Sequence, residues 1–277
     1  MRESRNSADN QSATGSADGP RWTRALVTGA SSGIGREMAM QLAAAGTELV
    51  VVARDRARLD ALAESLGVSC EVIVCDLADR SALDAVERRI ESADDPIDLL
   101  VNNAGLGYGG PFAELDRNDA TFVVDVNVVA LQRLTQAAAS SFSDREGGTI
   151  LNVGSLAGDS VGANSATYNA TKAFVTSLGQ SLAAELVGTG VTITTLLPGF
   201  TRTEFQQRSG TDVSDVPKFL WQSAEAVAAA GLDGAAAGMI EVVPSKRYRA
   251  FRMVNRVLPG GVKRRAARNV ANRSASE

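Results

Sequence analysis

The 277-residue sequence contains no histidine, and this absence narrows the chemistry open to the protein. Histidine is the commonest general base near neutral pH and a frequent metal ligand. Any proton transfer therefore has to use Tyr, Lys, Asp, Glu or Cys, and we predict no metal site.

Cysteines and long apolar runs are equally scarce. The two cysteines, Cys70 and Cys75, cannot form a disulfide framework, and five residues apart on one strand they would face opposite ways. No run of about 18 consecutive apolar residues occurs, and residues 1–20 contain no apolar signal region. We expect neither a signal peptide nor a spanning helix, and a reducing, cytoplasmic environment.

Charge is distributed unevenly along the chain. Residues 246–277 contain ten Lys or Arg and one Glu, a net charge of +9, whereas the first 245 residues contain 18 basic and 31 acidic side chains, a net charge of −13. Residues 1–20 are rich in small and polar types, which predicts a disordered amino-terminal arm. We therefore divide the chain into this arm, one domain at residues 21–245 and a basic extension at residues 246–277.

Seven short runs rich in Val, Ile and Leu alternate with helical stretches. They are RALVT, ELVVVA, CEVIVC, IDLLVN, GTILNV, VTITTLL and MIEVV. Such alternation is typical of parallel strands joined by helical crossovers. With no linker between Arg21 and Val243, we predict one α/β domain with a doubly wound parallel sheet of seven strands, ordered 3-2-1-4-5-6-7. Ser81 and Asp84 resemble a capping box that begins the third helix.

A glycine-rich segment, LVTGASSGIGRE, follows the first predicted strand. Thr28, Gly29, Gly33 and Gly35 lie where the strand ends and the first helix begins. Glycines there permit a tight turn and let a pyrophosphate approach the positive end of the helix. A purely structural turn has the same spacing, but the strand-turn-helix context favours a dinucleotide site.

The end of the second strand, VVVARDR, bears on the choice of cofactor. NAD sites usually have an acid where this chain has Ala53, and Arg54 follows, able to form a bidentate pair with a 2′-phosphate. We therefore favour NADP(H). Asp55 leaves NAD(H) open, because a shift of one residue would place an acid at the ribose, and Arg54 is alternatively a solvated charge.

Three polar residues after the fifth strand suggest proton transfer to a carbonyl. Ser155 is followed thirteen residues later by Tyr168, and Lys172 lies one helical turn further on. A phenol has a reference pKa near 10, and we expect the neighbouring ammonium to lower it. Tyr168 is then the proton donor in reduction, and Ser155 binds the oxygen. A packed tyrosine beside an exposed lysine is the alternative.

Together these motifs resemble the short-chain dehydrogenase/reductase family over the range Arg21 to Val243. The matching segments are TGASSGIG at 28–35, NNAG at 102–105, DVNVVA around Asn127, YNATK at 168–172 and PGFTRT at 198–203. The resemblance implies a Rossmann fold, an NAD(P)-dependent oxidoreductase acting on CH–OH or C=O groups, and a homo-oligomer.

The resemblance also implies individual roles. Asn127 would hold a water in a proton relay to Lys172, which would also bind the nicotinamide ribose. The catalytic residues are then Asn127, Ser155, Tyr168 and Lys172. The cofactor-binding residues are Thr28, Gly29, Ser31, Ser32, Gly33, Ile34, Gly35, Arg54, Asp76, Leu77, Asn103, Ala104, Gly105, Tyr168, Lys172, Pro198, Gly199 and Thr203.

Aromatic and apolar residues in the overhanging segments predict a hydrophobic substrate pocket, with residues 107–110 as a mobile wall. The candidates are Tyr108, Phe200, Phe205, Phe219, Leu220 and Trp221. They favour a hydrophobic carbonyl compound as substrate. The alternative is that they anchor a lid to the domain.

The basic extension predicts a helix with an apolar face and a separate basic face, ended by Pro259. The apolar face holds Tyr248, Phe251, Val254 and Leu258; the basic face holds Arg249, Arg252 and Arg256. Such a helix can lie on an anionic membrane surface, and packing on its own domain or on a partner subunit is the alternative. The acidic body argues against nucleic-acid binding.

A rival function is a dinucleotide-binding sensor or scaffold without turnover. Such a protein needs only the glycine segment and Arg54, whereas this sequence also has the Asn, Ser, Tyr and Lys that proton transfer uses. We therefore favour the enzyme.

Overall fold

The computed structural model describes residues 21–210, 213–214 and 216–274, so the predicted arm at residues 1–20 lies outside the described residues. The strands are β1 (Arg24–Thr28), β2 (Glu48–Ala53), β3 (Cys70–Val74), β4 (Leu99–Asn102), β5 (Gly148–Val153), β6 (Val191–Leu196), β7 (Thr201–Arg202), β8 (Gln222–Ser223) and β9 (Glu241–Val242). The helices are α1 (Gly33–Ala44), α2 (Arg56–Ser65), α3 (Arg80–Glu91), α4 (Arg117–Val124), α5 (Leu131–Asp144), α6 (Ala166–Glu185), α7 (Phe205–Ser209), α8 (Ala224–Ala236), α9 (Lys246–Val257) and α10 (Gly260–Ser274).

Seven of the strands form one parallel sheet in the order β3-β2-β1-β4-β5-β6-β9. This confirms the predicted order, with the MIEVV run reduced to the two-residue strand β9. Two short strands outside this sheet, β7 and β8, pair with each other and were not predicted. The reversal of strand order between β1 and β4 opens a crevice at the carboxyl ends of the strands, where ligands of such sheets bind.

Both faces of the sheet are covered by helices. Alternate strand residues point into two apolar clusters: Val51 packs with α1, α2 and α8, while Val50 packs with α3 and α5. Cys70 borders the first cluster and Cys75 lies in the second, so the two free thiols are on opposite faces, as their spacing predicts.

The predicted capping box at the start of α3 is wrong. Asp79 caps the helix, and its carboxylate accepts hydrogen bonds from the backbone N–H of Ser81 at 2.9 Å and of Ala82. An ionised carboxylate near a helix N-terminus also benefits from the helix dipole, which favours Asp79 over a serine two residues later.

The predicted membership of the apolar and basic faces of α9 is also wrong. Tyr248, Arg252 and Asn255 are all buried against the domain, whereas Phe251 and Val254 are exposed. Arg252 is buried because Asp159 and Glu241 accept its guanidinium N–H groups. Within the described ranges no helix is long and apolar enough to cross a membrane.

Candidate active site

The glycine segment between β1 and α1 leaves room for a ligand backbone to approach. Gly29 and Gly33 have φ values of +66° and +57°, which side chains rarely adopt. A methyl group on Gly35 would lie 2.2 Å from Asn103 Nδ2, and one on Gly33 would lie 3.1 Å from the Thr203 methyl carbon. Ser32, at the N-cap of α1, makes no side-chain cap hydrogen bond. The segment therefore fits a dinucleotide pyrophosphate at the positive end of α1.

The segment after β4 is tied to this glycine turn by hydrogen bonds. Thr28 Oγ1 accepts from the backbone N–H of Asn103 and of Ala104, each at 3.0 Å. Asn103 Nδ2 donates to the carbonyl oxygen of Thr28 at 2.9 Å and of Gly29 at 3.3 Å. The Asn103 side chain is thus occupied in shaping the turn, which leaves the backbone of residues 103–105 to face the crevice.

At the end of β2, the charged side chains of residues 53–58 (ARDRAR) differ in whether they form ion pairs. Asp55 caps α2 by accepting from the backbone N–H of Arg58 and also pairs with the Arg58 side chain at 3.4 Å. Arg56 pairs with Asp60. Within the described part of the chain Arg54 has no carboxylate partner, and its guanidinium lies 5.6 Å from the ring centroid of Phe122.

Beyond β3, Asp76 and Leu77, two of the predicted cofactor-binding residues, lie two strands from β1. Asp76 is partly buried and its carboxylate accepts from the backbone N–H of Ala78 at 3.1 Å. The Leu77 side chain is packed in the core between the sheet and α3. Leu77 can therefore meet a ligand only through its backbone.

Ser155 and Tyr168 are brought together beyond β5. Ser155 Oγ accepts from the backbone N–H of Ala157 at 3.1 Å and is hydrogen-bonded to the Tyr168 phenol. The Tyr168 ring packs on Phe205, with ring centroids 5.4 Å apart, and a methyl group on Gly107 would lie 3.1 Å from it. Burial raises the pKa of Tyr168, and the Ser155 hydrogen bond opposes that shift.

Lys172 lies on the next turn of α6, and its ammonium is buried. Lys172 Nζ donates to the carbonyl oxygen of Val153 at 2.9 Å and lies 5.8 Å from the Tyr168 ring centroid. Burial lowers its pKa to about 8. The expectation that Lys172 lowers the pKa of Tyr168 is not met, because desolvation of the phenol outweighs the effect of its neighbours and the ammonium points to Val153.

Asn127 lies in a π-helical turn, Asp125–Ala130, between α4 and α5. Its side chain exchanges two hydrogen bonds with the backbone of Leu106, at 2.9 and 2.8 Å, and donates to Thr171 Oγ1 at 3.1 Å. A methyl group on Gly105 would lie 3.3 Å from both Asn127 Oδ1 and Lys172 Nζ. The amide and the ammonium therefore flank the same glycine; π-helical turns of this kind are frequent at functional sites.

The segment that begins with Pro198 crosses above the glycine turn. The Pro198 carbonyl accepts from the backbone N–H of Leu156, and Gly199 lies flat against the Tyr248 ring, which leaves no room for a side chain. Thr203 packs on Gly33, so this predicted cofactor-binding residue lies next to the glycine segment.

The predicted pocket residues fall into two groups. Phe205 contacts Tyr168, whereas Phe200 packs on Trp221 at 5.7 Å and Leu220 packs beside Tyr248. Residues 107–110 are held at two points, because Gly109 N–H donates to Ser209 O and Gly110 N–H donates to Asn164 O. Phe205 can therefore face a substrate. Phe200, Leu220 and Trp221 instead anchor the segment that follows β6 to α9.

An ion-pair cluster that we call the clasp, formed by Arg58, Glu204 and Arg208, was missed by the sequence analysis. Glu204 accepts from Arg58 Nη1 at 2.8 and 3.0 Å and also pairs with Arg208, whose other amino group lies 3.5 Å from Ser32 Oγ. The four-residue spacing of Glu204 and Arg208 was a visible signal. The partner 146 residues away was not.

Comparisons with known proteins agree with this arrangement. The family model described as short chain dehydrogenase matches residues 23–214. The sulfoacetaldehyde reductase of Chromohalobacter salexigens is 40% identical over 184 residues, which cover 65% of this chain and 73% of that protein.

Two solved structures are similar along most of the chain. A short-chain dehydrogenase from Sphingobium yanoikuyae in complex with NADPH has a TM-score of 0.76 and 36% identity, covering 83% of this chain and 92% of that one. The bulky-bulky ketone specific alcohol dehydrogenase from Comamonas testosteroni has a TM-score of 0.73 and 33% identity, covering 84% and 91%.

Proposed function

The chain belongs to the short-chain dehydrogenase family, and we propose that it is an NADP(H)-dependent oxidoreductase that interconverts an apolar ketone or aldehyde and its alcohol, with Tyr168 as the acid and base. The observation that carries this proposal is the grouping of Ser155, Tyr168, Lys172 and Asn127 around one crevice beside the glycine turn. A dinucleotide sensor would need only the glycine turn and Arg54, so this grouping favours turnover.

The choice of NADP(H) follows from the charges at the end of β2. Arg54 has no carboxylate partner among the described residues, while Asp55 is engaged as the α2 cap and with Arg58. A 2′-phosphate would therefore meet a guanidinium able to pair with it, whereas Asp55 is already engaged by the α2 cap and by Arg58. When bound, the dinucleotide supplies the hydride that is added to the carbonyl carbon.

The proton steps belong to the protein. Tyr168 is protonated at neutral pH, because burial raises its pKa, and so it can donate its proton to the developing alkoxide. Ser155 donates a hydrogen bond to the same substrate oxygen. The Lys172 ammonium stabilises the phenolate left on Tyr168, and Asn127, fixed by Leu106 and Thr171, holds the path by which Tyr168 regains a proton.

Replacement of Tyr168 by Phe tests the acid role directly. The variant keeps the ring that packs on Phe205 but has no proton to donate, so we expect turnover to fall by at least about 100-fold. The measurement is NADPH oxidation with a panel of bulky aryl ketones, aliphatic aldehydes and sulfoacetaldehyde. Thermal unfolding and NADPH fluorescence serve as controls for fold and cofactor binding. Retention of most of the activity would refute the mechanism.

The nature of the substrate is inferred from the groups beside Tyr168. Phe205 packs on the Tyr168 ring, and the Gly107 backbone also lies close to that ring, so the wall next to the reacting oxygen is apolar. This supports a hydrophobic carbonyl compound over a small charged one. Faster turnover of sulfoacetaldehyde than of every apolar ketone in the panel would contradict it.

We also propose an assembly state and a location for the protein. Family membership supports a homo-oligomer, which light scattering of the full chain would test. The sequence supports a cytoplasmic location, and the basic extension supports a peripheral membrane contact. The division of the chain into an arm, a domain and an extension likewise stays a prediction.

A further inference from the structure

One side of α9 is held firmly on the domain. Arg252 donates to both carboxylate oxygens of Glu241, at 2.7 and 2.8 Å, and also pairs with Asp159. Asn255 Nδ2 donates to the carbonyl oxygen of Asp159 at 2.6 Å, and the Tyr248 hydroxyl donates to that of Leu220 at 2.7 Å. These contacts set which side of α9 faces outward.

The outward side of α9 is apolar. With about 3.6 residues per turn, Met253, Val254 and Val257 lie opposite Tyr248, Arg252 and Asn255. They are 72%, 57% and 80% exposed. A helix of a globular protein ordinarily turns its apolar stripe toward the core, so this arrangement is reversed and leaves a contiguous apolar surface in water.

Basic side chains border that surface. Arg249 and Arg256 lie along one edge, Arg247 along the other and Lys246 at its start, and all four are exposed. After Pro259 the chain continues into α10, where Val262 is half exposed and is followed by Lys263. An apolar strip between basic margins is the pattern by which helices lie in the interface of an anionic bilayer.

The charge of the rest of the chain also favours a bilayer over other occupants. A bilayer offers anions and hydrocarbon in one plane, and the −13 net charge of residues 1–245 would turn the domain away from that plane. A nucleic acid offers no hydrocarbon to Met253 and Val257. The acidic body of a second copy offers charge but needs an apolar patch opposite α9.

The side of α9 that packs on the domain contacts the segment after β6, which includes Phe200 and Phe219. Arg247 donates to the carbonyl oxygen of Phe219 at 3.0 Å and stacks on its ring, and the Tyr248 hydroxyl accepts from the backbone N–H of Phe200 at 3.1 Å. Phe200 and Phe219 are themselves exposed. A surface bound through α9 would thus lie beside two aromatic residues of that segment.

We propose that the outward face of α9, together with the start of α10, binds the surface of an anionic phospholipid bilayer. The proposal assigns the peripheral membrane contact suggested above to a defined surface, and it is separate from the proposed reaction because lipid binding is measured without turnover. The assay is co-sedimentation of the full chain with phosphatidylcholine vesicles, with and without phosphatidylglycerol. We expect at least tenfold stronger partitioning onto the anionic vesicles.

Matched variants locate the contact. The double variant Met253→Ser/Val257→Ser removes apolar area and should reduce partitioning about tenfold or more; Arg249→Gln should reduce it about fivefold. Val187→Ser is the control, because Val187 is as exposed as Val257 but lies just after α6, outside α9 and α10. It should partition as the unaltered chain does. Thermal unfolding of each variant verifies that the fold is intact.

Three results would overturn the proposal. The first is equal partitioning of the unaltered chain and the double variant. The second is equal binding to vesicles with and without phosphatidylglycerol. The third is no vesicle binding together with a lower mass of the double variant by light scattering, which would assign the face to a contact between copies of this chain.

Discussion

At the scale of single residues, Arg54 shows how neighbouring pairings decide the role of a charge. Three arginines lie within five residues, but Arg56 and Arg58 each have carboxylate partners. Among the described residues, Arg54 contacts the Phe122 ring and pairs with no carboxylate. A guanidinium without an anionic partner is available to a phosphate, and its position at the end of β2 is where a 2′-phosphate is read.

Replacement of Arg54 by Ala should weaken NADPH binding by roughly 10- to 100-fold, the range for losing charge-assisted hydrogen bonds. NADH binding, which involves no 2′-phosphate, should change little. Fluorescence titration with both dinucleotides measures the ratio. Arg56→Ala is the matched control, since Arg56 is already paired with Asp60. An equal loss for both dinucleotides would refute the assignment.

The pKa values of Tyr168 and Lys172 predict the alkaline limb of carbonyl reduction. Tyr168 stays protonated because its pKa is raised, whereas Lys172 loses its charge as the pH rises past its pKa of about 8. The phenolate then lacks its stabilising ammonium. We expect kcat/KM for reduction to be flat below pH 8 and to fall above it, by up to tenfold per pH unit. A profile that stays flat to pH 10, with circular dichroism unchanged, would contradict this.

At the scale of elements, the clasp joins two parts of the fold that are far apart in the sequence. Glu204, just before α7, bridges Arg58 of α2 and Arg208 of α7, and Arg208 reaches Ser32 at the start of α1. The pairing with Arg58 holds the pKa of Glu204 below its ordinary value, so the bridge is charged at neutral pH. The clasp therefore holds α7 over the glycine turn.

Replacement of Glu204 by Gln should open the clasp and release NADPH faster, by about two- to fivefold, because the ion pairs are exposed and each is weak. Stopped-flow displacement of bound NADPH measures the rate. In the unaltered protein the rate should rise with salt, and in the variant this salt dependence should shrink. Asp60→Asn is the control: it breaks the exposed pair between Asp60 and Arg56 on α2, the helix that also carries Arg58, and should leave the rate of NADPH release unchanged. An identical rate and salt response in Glu204→Gln would exclude the clasp.

At the scale of the whole molecule, the Arg252 pairing attaches the basic extension to the sheet. Arg252 is 9% exposed and its partners Asp159 and Glu241 are 18% and 19% exposed. Loss of one partner from a buried pair leaves the other charge uncompensated. The extension is therefore coupled to the stability of the domain through the loop after β5 and through β9.

Replacement of Arg252 by Met should destabilise the protein by about 2 kcal/mol, less than for a fully buried pair because solvent reaches both carboxylates. For a chain of this size that is a fall in Tm of about 4–8 °C. Calorimetry measures it, with Arg256→Met as control, since Arg256 is exposed and reaches Glu241 only at 3.8 Å. Equal Tm values for the two variants would contradict the coupling.

The difference in Tm between the unaltered chain and Arg252→Met should depend on pH. Pairing with Arg252 lowers the pKa of Glu241, so its contribution is present above the ordinary carboxyl pKa and is lost as the pH falls through the lowered value. The gap in Tm between the unaltered chain and Arg252→Met should therefore narrow in acid.

The strand order and the motif positions could be predicted from the sequence because they depend on local patterns. Apolar runs of five to seven residues, and glycines between a predicted strand and a predicted helix, can be recognised without knowledge of the fold. The spacing of Tyr168 and Lys172 places them on one helical face in the same way.

Only the tertiary structure decided the contacts that depend on distant partners. The clasp, the burial of Arg252 and the raised pKa of Tyr168 each require groups from elements far apart in the chain, or the exclusion of water by them. The pattern of α9 could not reveal which face is buried, because two carboxylates outside the helix overcome the cost of burying an arginine. Periodicity determines that a helix forms, and its neighbours determine which side of it meets the solvent.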